Sequence, residues 1–390
     1  MSRLDELIQE LCPNGVEYKK VGEIASISRG RVMSKDYIKE NQGDYPVYSS
    51  QTENNGKLGC ISTFDFDGEY LTWTTDGANA GSVFYRNGKF SITNVCGLIK
   101  VDASIMLTRF LYFALSIVAK TYVSSGMGNP KLMSNVMARI KIPVPPLEVQ
   151  AEIVKILDNF TELTAELTAE LTARKKQYEY YRDLLLDFSV HGGASECEWR
   201  TIKLGDIGKI SMCKRIMKSE TSPNGDIPFY KIGTFGGEPN AYISKETFEK
   251  YKSLYSFPKK GDILISAAGT IGRTVVYDGE PAYYQDSNIV WIDNDETIVL
   301  NRYLYYIYQL SPWQISTGGT IARLYNDNIA NAKINIPSLK EQERIVSILD
   351  RFDKLCNDIS EGLPAEIEAR RKQYEYYRDK LLSFEERKNA

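Results

Sequence analysis

What this chain lacks narrows it first. One histidine, His191, stands among 390 residues, and the six cysteines (Cys12, Cys60, Cys96, Cys197, Cys213 and Cys356) include no CxxC pair. A zinc centre needs closely spaced thiolate and imidazole ligands, so buried reduced thiols are expected and a metal is not. His191 lies beside Gly192 and Gly193 at a domain junction and carries no expected catalytic role. No GxxxxGK[ST] loop is present to cradle nucleotide phosphates, and no Gly-rich dinucleotide fingerprint follows a strand. No NPPY-like or DPPY-like tetrapeptide of an adenine methyltransferase occurs, and no cofactor is expected. The acid pairs Asp65/Asp67 and Asp293/Asp295 sit in turn-like strings and read as solvated turn residues, the alternative being metal binding. The longest mostly apolar run, Phe110 to Ala119, has ten residues and contains Ser116. That is too short to span a bilayer and reads as a core helix. The start, MSRLDELIQEL, is an acidic amphipathic pattern without the basic start and apolar block of a signal peptide. A cytoplasmic protein without a membrane partner is expected.

With 43% apolar and 25% charged residues the composition is that of a globular protein, and the length suggests two or three domains. The net charge of −3 does not announce a nucleic-acid binder, but the charge is partitioned. Residues 17–145 hold 15 Lys+Arg against 11 Asp+Glu, a balance of +4; residues 147–188 hold 5 against 9, a balance of −4. A mildly basic globular region beside an acidic helical segment is compatible with local DNA contact.

The chain also repeats itself. ARKKQYEYYRDLLLDF (Ala173 to Phe188) and ARRKQYEYYRDKLLSF (Ala369 to Phe384) differ at three of sixteen positions. IPVPPLEVQAEIVKILDNFTEL from Ile142 corresponds to INIPSLKEQERIVSILDRFDKL from Ile334, 192 residues on. RFLYF at Arg109 resembles RYLYY at Arg302, YPVY at Tyr45 resembles IPFY at Ile227, and VGEIASIS at Val21 resembles LGDIGKIS at Leu204. The chain is a tandem duplication of a globular region followed by a long helix.

The globular regions read as mixed, with short β-rich runs such as GEYLTWTT, GDILIS and RTVVY between NG, DG and GG turns. One helix per copy is predicted near Arg109–Tyr122 and Arg302–Leu310. Each long helix follows a Pro-containing stop and runs for about forty residues, or about 60 Å. In copy one the apolar series is Ile153, Leu157, Phe160, Leu163, Leu167, Leu171, Tyr178, Tyr181, Leu185 and Phe188. That spacing and length predict a coiled coil, most simply the two helices packed antiparallel. Gly362 and Pro364 predict a bend or restart in the second helix. The fold class is therefore α+β: two mixed α/β domains (1–145 and 191–338) and two helical spacers (146–190 and 339–390) on a pseudo-two-fold frame.

This layout resembles the specificity subunit of Type I restriction-modification complexes. The resemblance rests on the paired IxxPxLxxQxxIVxILD segments, the paired KQYEYYRDxLLxF segments and the tetrad tract TELTAELTAELTA from Thr161. The tract resembles that of the IC subclass, although the second helix reads CNDISEGLPAEIEA in its place. The resemblance implies a non-catalytic DNA reader that binds double-stranded DNA, two methylating (M) subunits and restriction (R) subunits. Each globular domain would read one half of a split, asymmetric site, and the helices would set the gap.

Loops with Gly, Lys/Arg, Asn/Gln and Ser/Thr suit DNA contact. In copy one the candidates are Ser49, Gln51, Asn54, Asn55, Lys57, Asn79, Asn129 and Lys131. In copy two they are Lys231, Thr234, Thr270, Arg273, Thr320 and Arg323. Lys57, Lys131, Arg273 and Arg323 are the charges expected to face DNA, the alternative being that each loop is only a turn. In the doubled motif Tyr178, Tyr181 and Leu185 share one helical stripe, as core residues would. Gln177, Tyr180 and Arg182, with Gln373, Tyr376 and Arg378, are the candidate docking surface for two identical partners. Two rival readings are a self-contained nuclease or methyltransferase and a coiled-coil scaffold without DNA recognition.

Overall fold

A computed structural model describes residues 2–124, 128–187, 198–315 and 322–387. Phe188, His191, Cys197, Thr320 and parts of the loops around Gly126 and Gly318 lie outside the described residues. The chain forms two compact units, Met1–Thr168 with Glu366–Ala390, and Ala169–Ala365.

The first unit opens with α1 (Arg3–Leu11), capped reciprocally by the Ser2 hydroxyl on the Asp5 N–H and the Asp5 carboxylate on the Ser2 N–H. There follow β1 (Glu17–Lys20), α2 (Val21–Ile24), β2 (Ala25–Arg29), α3 (Lys35–Glu40), β3 (Gln42–Tyr48) and β4 (Lys57–Ile61). Then come β5 (Phe66–Thr74), β6 (Val83–Ile92), β7 (Cys96–Val101), α4 (Thr108–Val118), α5 (Ser134–Met137), β8 (Lys141–Val144) and α6 (Leu147–Leu186). Six strands form one sheet in the order β2-β7-β5-β6-β3-β4, while β1 pairs with β8. The sheet is antiparallel except that β3 runs parallel to β6. Gly97 lets β7 pass close to a core indole, because a Cβ there would lie 2.2 Å from the Trp73 ring. The apolar face of α4 (Phe110, Leu111, Phe113) packs with Trp73 and with Val149, Ile153 and Leu157 of α6.

The second unit repeats this plan with β9 (Trp199–Lys203), β10 (Gly208–Ser211), β11 (Ile227–Tyr230), β12 (Tyr242–Ile243), α7 (Lys245–Leu254) and β13 (Ile263–Ser266). It continues through β14 (Thr274–Val276), β15 (Tyr283–Tyr284), β16 (Ile289–Asn294), α8 (Asn301–Gln309), α9 (Asn326–Ala330), β17 (Lys333–Pro337) and α10 (Leu339–Asn357). Here the strands fall into two sheets, β10-β16-β13-β14 and β12-β11-β15. The strand that runs unbroken as β6 in the first unit is split into β14 and β15 by Asp278-Gly279-Glu280-Pro281, where Gly279 has φ 93°. The left-handed glycine turns the chain, and Pro281 supplies no N–H for a ladder at this point.

The 40-residue α6 matches the first predicted long helix, and the predicted helices near Arg109 and Arg302 are α4 and α8. The second predicted long helix is instead two 19-residue helices, α10 and α11 (Leu363–Leu381). The break follows from Gly362: a Cβ there would lie 2.6 Å from the carbonyl oxygens of Lys354 and Asp358. The Asp358 carboxylate meanwhile accepts from the N–H groups of Ser360 and Glu361. Burial along the α6 stripe is uneven. Ile153, Leu157 and Tyr178 are buried, but Leu163 in the tetrad tract is 46% exposed.

Each unit closes around one fully buried glutamine. Gln150 accepts from the Leu107 N–H at 2.8 Å and donates to the carbonyls of Ile105 (3.0 Å) and Pro145 (2.8 Å). Gln342 repeats this with the Leu300 N–H at 2.9 Å and the carbonyls of Ile298 and Pro337, both at 3.0 Å. The paired arginines are likewise held, Arg109 on Asp158 at 2.7 Å and Arg302 on Asp350 at 2.6 Å.

Candidate nucleic-acid interface

In the first unit, candidate loops far apart in sequence meet. The Asn79 amide donates to Thr52 Oγ1 at 3.0 Å, joining the loop after β5 to the loop after β3. Lys131 Nζ lies 3.8 Å from Asp76 Oδ1, and the Gly77 N–H donates to the Pro130 carbonyl at 3.0 Å, adding the third loop. Ser49 accepts from Thr93 Oγ1 at 2.9 Å, and Gln51 Nε2 donates to the Lys57 carbonyl at 2.5 Å. Asn54 and Asn55 stand at φ 48° and 56°, a left-handed conformation that asparagine tolerates better than most residues. Asn54, Asn55, Lys57, Asn79, Asn129 and Lys131 all reach the surface.

Arg86, which sequence reading missed, carries this loop. It is 3% exposed, its guanidinium lies 3.6 Å from the Tyr48 ring centre, Nε donates to Thr72 and Nη2 donates to the Asn55 carbonyl at 2.8 Å. Burial pushes its pKa below that of an ordinary guanidinium. The only sequence signal is a cation inside the apolar strand VFYRNGKF.

The second unit gathers its loops in the same way. Arg273 Nη1 donates to the Phe235 carbonyl at 2.8 Å, and the Leu324 N–H donates to the Ala267 carbonyl at 2.9 Å. The Lys231 N–H donates to the Thr234 hydroxyl at 3.2 Å, and the Thr270 carbonyl accepts from Ser266 Oγ. Arg323 is half-buried and donates through Nη2 to the Ser287 carbonyl at 2.7 Å. Arg273 and Arg323 thus brace the loops as well as presenting charge. Thr320 lies outside the described residues.

Two of the supposed turn acids are strand residues: Asp67 lies in β5, and Asp293 lies in β16 with Lys259 Nζ at 2.8 Å. Asp65 pairs with Arg31 at 3.1 Å, and Asp295 accepts from the Thr297 N–H. No His, Cys, Asp or Glu group fit to hold a metal occurs among the described residues. Cys96 and Cys213 are buried, and burial pushes both thiols up to about 12.

The doubled motif has the same geometry twice. Tyr180 is 64% and Tyr376 62% exposed. Tyr180 meets Tyr181 edge-on with ring centres 5.4 Å apart, as Tyr376 meets Tyr377. Arg182 and Arg378 each pair with the following aspartate at 2.7 Å. Gln177 and Gln373 each accept from an arginine three residues earlier. In the first unit Tyr377 stacks on Phe160 at 5.5 Å; in the second Tyr181 stacks on Phe352 at 5.6 Å. Each unit therefore joins the motif of one copy to the ILD helix of the other. Tyr178 is buried and donates to Gln309 Oε1, as a core residue should.

Two loop-presenting α/β units built on one duplicated scaffold define a class of bipartite recognition protein. The family described as the Type I restriction modification DNA specificity domain matches residues 13–174 and again 196–369, and the chain belongs to this family. A putative type I restriction enzyme specificity subunit of Haemophilus influenzae is 49% identical over 381 residues, covering 95% of this chain and 96% of that one. A putative type I specificity subunit of Mycoplasma pneumoniae is 37% identical over 367 residues, covering 94% and 97%. The crystal structure of the type I S subunit from M. genitalium has the same fold, with a TM-score of 0.60 at 15% identity over 94% of this chain and 96% of that one. No described helix is long and apolar enough to cross a membrane.

Proposed function

We propose that this chain is the non-catalytic DNA-reading subunit of a cytoplasmic Type I restriction-modification complex, recognising a split, asymmetric site in double-stranded DNA. Residues 1–145 and 191–338 act as target-recognition domains, and 146–190 and 339–390 act as spacers packed as an antiparallel coiled coil. The observation that carries this is one scaffold presenting two unlike loop sets. Asn79 and Lys131 tie loops together in the first unit, whereas Arg273 and Arg323 do so in the second. Protein pseudo-symmetry maps onto half-site placement, and unlike loops read unlike half-sites. The stacked pairs Phe160–Tyr377 and Phe352–Tyr181 support the paired spacers. The matching Tyr180 and Tyr376 patches support docking of two identical methylating subunits, with restriction subunits joining that assembly.

The test is the methylation pattern of a host that carries this chain with the methylating subunits of its own system. A motif of two different half-sites around an unread gap is expected. A continuous or perfectly palindromic motif refutes the reading, and methyl transfer by the purified chain alone would favour a self-contained enzyme.

A further inference from the structure

Between two loops singled out on sequence, those of Lys231 and Arg323, the second unit holds a cleft of about 340 Å³ whose lining is cationic and amide-rich. Arg215, Lys218, Lys231 and Arg323 surround it, and one carboxylate, Asp286, offsets them by pairing with Arg215 at 2.8 Å. Lys218 and Lys231 are exposed and form no ion pair among the described residues, so their charge is available to a ligand, whereas Arg215 shares its charge with Asp286. The floor is the segment Gln285–Asn288. Gln285 spends its Oε1 on the Ile232 N–H at 2.9 Å, which fixes the loop after β11 to the floor. Ser287 stands at φ 59°, an unfavourable backbone for a serine, and Arg323 clamps its carbonyl. That turn sets Asn288 at the mouth of β16, with its backbone carbonyl tied to the Ala267 N–H at 2.7 Å. The Asn288 carboxamide is half-buried, lines the cleft and makes no hydrogen bond among the described residues. A strained, braced turn that positions a donor-acceptor pair with no partner among the described residues, beneath several cations, suits an anionic ligand with a polar edge.

Resting on the reading of this chain as a DNA specificity subunit, we propose that the cleft receives the DNA of the second half-site. The Asn288 carboxamide reads an adenine edge there, and Arg215, Lys218 and Lys231 hold the flanking phosphates. A carboxamide presents one donor and one acceptor side by side, matching adenine N7 and the N6 amino group in the major groove. The cations carry no such pattern and supply register and salt dependence.

The experiment uses the full chain assembled with the methylating subunits of its own system, with binding to a library of duplexes and the methylated motif as readouts. Asn288→Asp keeps the shape but removes the donor. It is expected to lose discrimination at one A·T position of the second half-site by roughly 5- to 150-fold, with the first half-site and the gap unchanged. Asn288→Ser, with thermal unfolding measured alongside, repeats the test should the aspartate perturb folding. The double variant Lys218→Ala/Lys231→Ala is expected to weaken all duplexes alike and lower the salt slope by about two. An unchanged motif and affinity in both Asn288 variants overturns the proposal, as does a change confined to the first half-site or to a G·C position. A parent complex that binds every duplex equally would instead defeat the underlying reading.

Discussion

Replacing Gln342 by alanine should cost this protein more than any surface change, and the cost can be worked from its three hydrogen bonds. The side chain is fully buried and ties the start of α8, through the Leu300 N–H, to the end of β17, through the Pro337 carbonyl. Truncation leaves the Leu300 N–H without an acceptor, and an unsatisfied buried donor costs about 1–3 kcal/mol. The two carbonyls each lose one partner, a smaller cost because each keeps a second lone pair. With the lost packing included, a destabilisation of about 3 kcal/mol is expected. For a unit of 150–250 residues that is a fall in Tm of roughly 6–12 °C. Calorimetry on the full chain measures it, and a loss below about 1 kcal/mol would refute the reasoning. Gln342→Glu adds a pH test. The buried carboxyl would face two carbonyls, so its folded pKa lies above the unfolded value of about 4.3. Stability that depends on the protonated form is then present below the unfolded pKa and lost as pH rises through the folded one. The deficit against the parent should therefore be larger at pH 8 than at pH 5.

Deleting Thr164 to Leu167 removes about 6 Å of helix and turns the remainder by about 40°. Both half-sites should survive while the unread gap shortens by one or two base pairs; the methylated motif shows this, and an unchanged gap would mean that α6 is not a ruler. Tyr180→Ala combined with Tyr376→Ala removes two exposed rings. Binding of the methylating subunits, followed by gel filtration, should weaken while circular dichroism stays the same; intact assembly would exclude that docking role. Asp262 has its carboxyl pushed up by burial, although the Lys259 N–H donates to it. Its contribution is complete below the unfolded carboxyl pKa of about 3.9 and declines as pH rises through the higher folded value, so Asp262→Asn should flatten the fall in stability above about pH 4 in urea titrations.

The helical frame was legible in the sequence because its signals are local. Apolar residues spaced by three and four, proline stops before Leu147 and Leu339, and Gly362 with Pro364 mark α6, α10 and α11 with no tertiary information. The duplication and its family followed from the same paired segments. Contacts between distant residues were not legible. Asn79 with Thr52 and Arg273 with Phe235 join residues 27 and 38 apart in the chain, so loops chosen for composition alone could not be known to converge. Nor could the pattern say which helix each YEYYRD segment meets, because both copies offer the same stripe; only packing pairs Tyr377 with Phe160 and Tyr181 with Phe352. Arg86, Gln150 and Gln342 read as ordinary polar residues until burial surrounded them with acceptors and donors. Sequence thus determined which segments are helical and that they come twice, since those follow from residue periodicity and chain geometry. Tertiary structure decided which polar groups are buried, paired or left exposed, since each depends on neighbours brought from elsewhere in the chain.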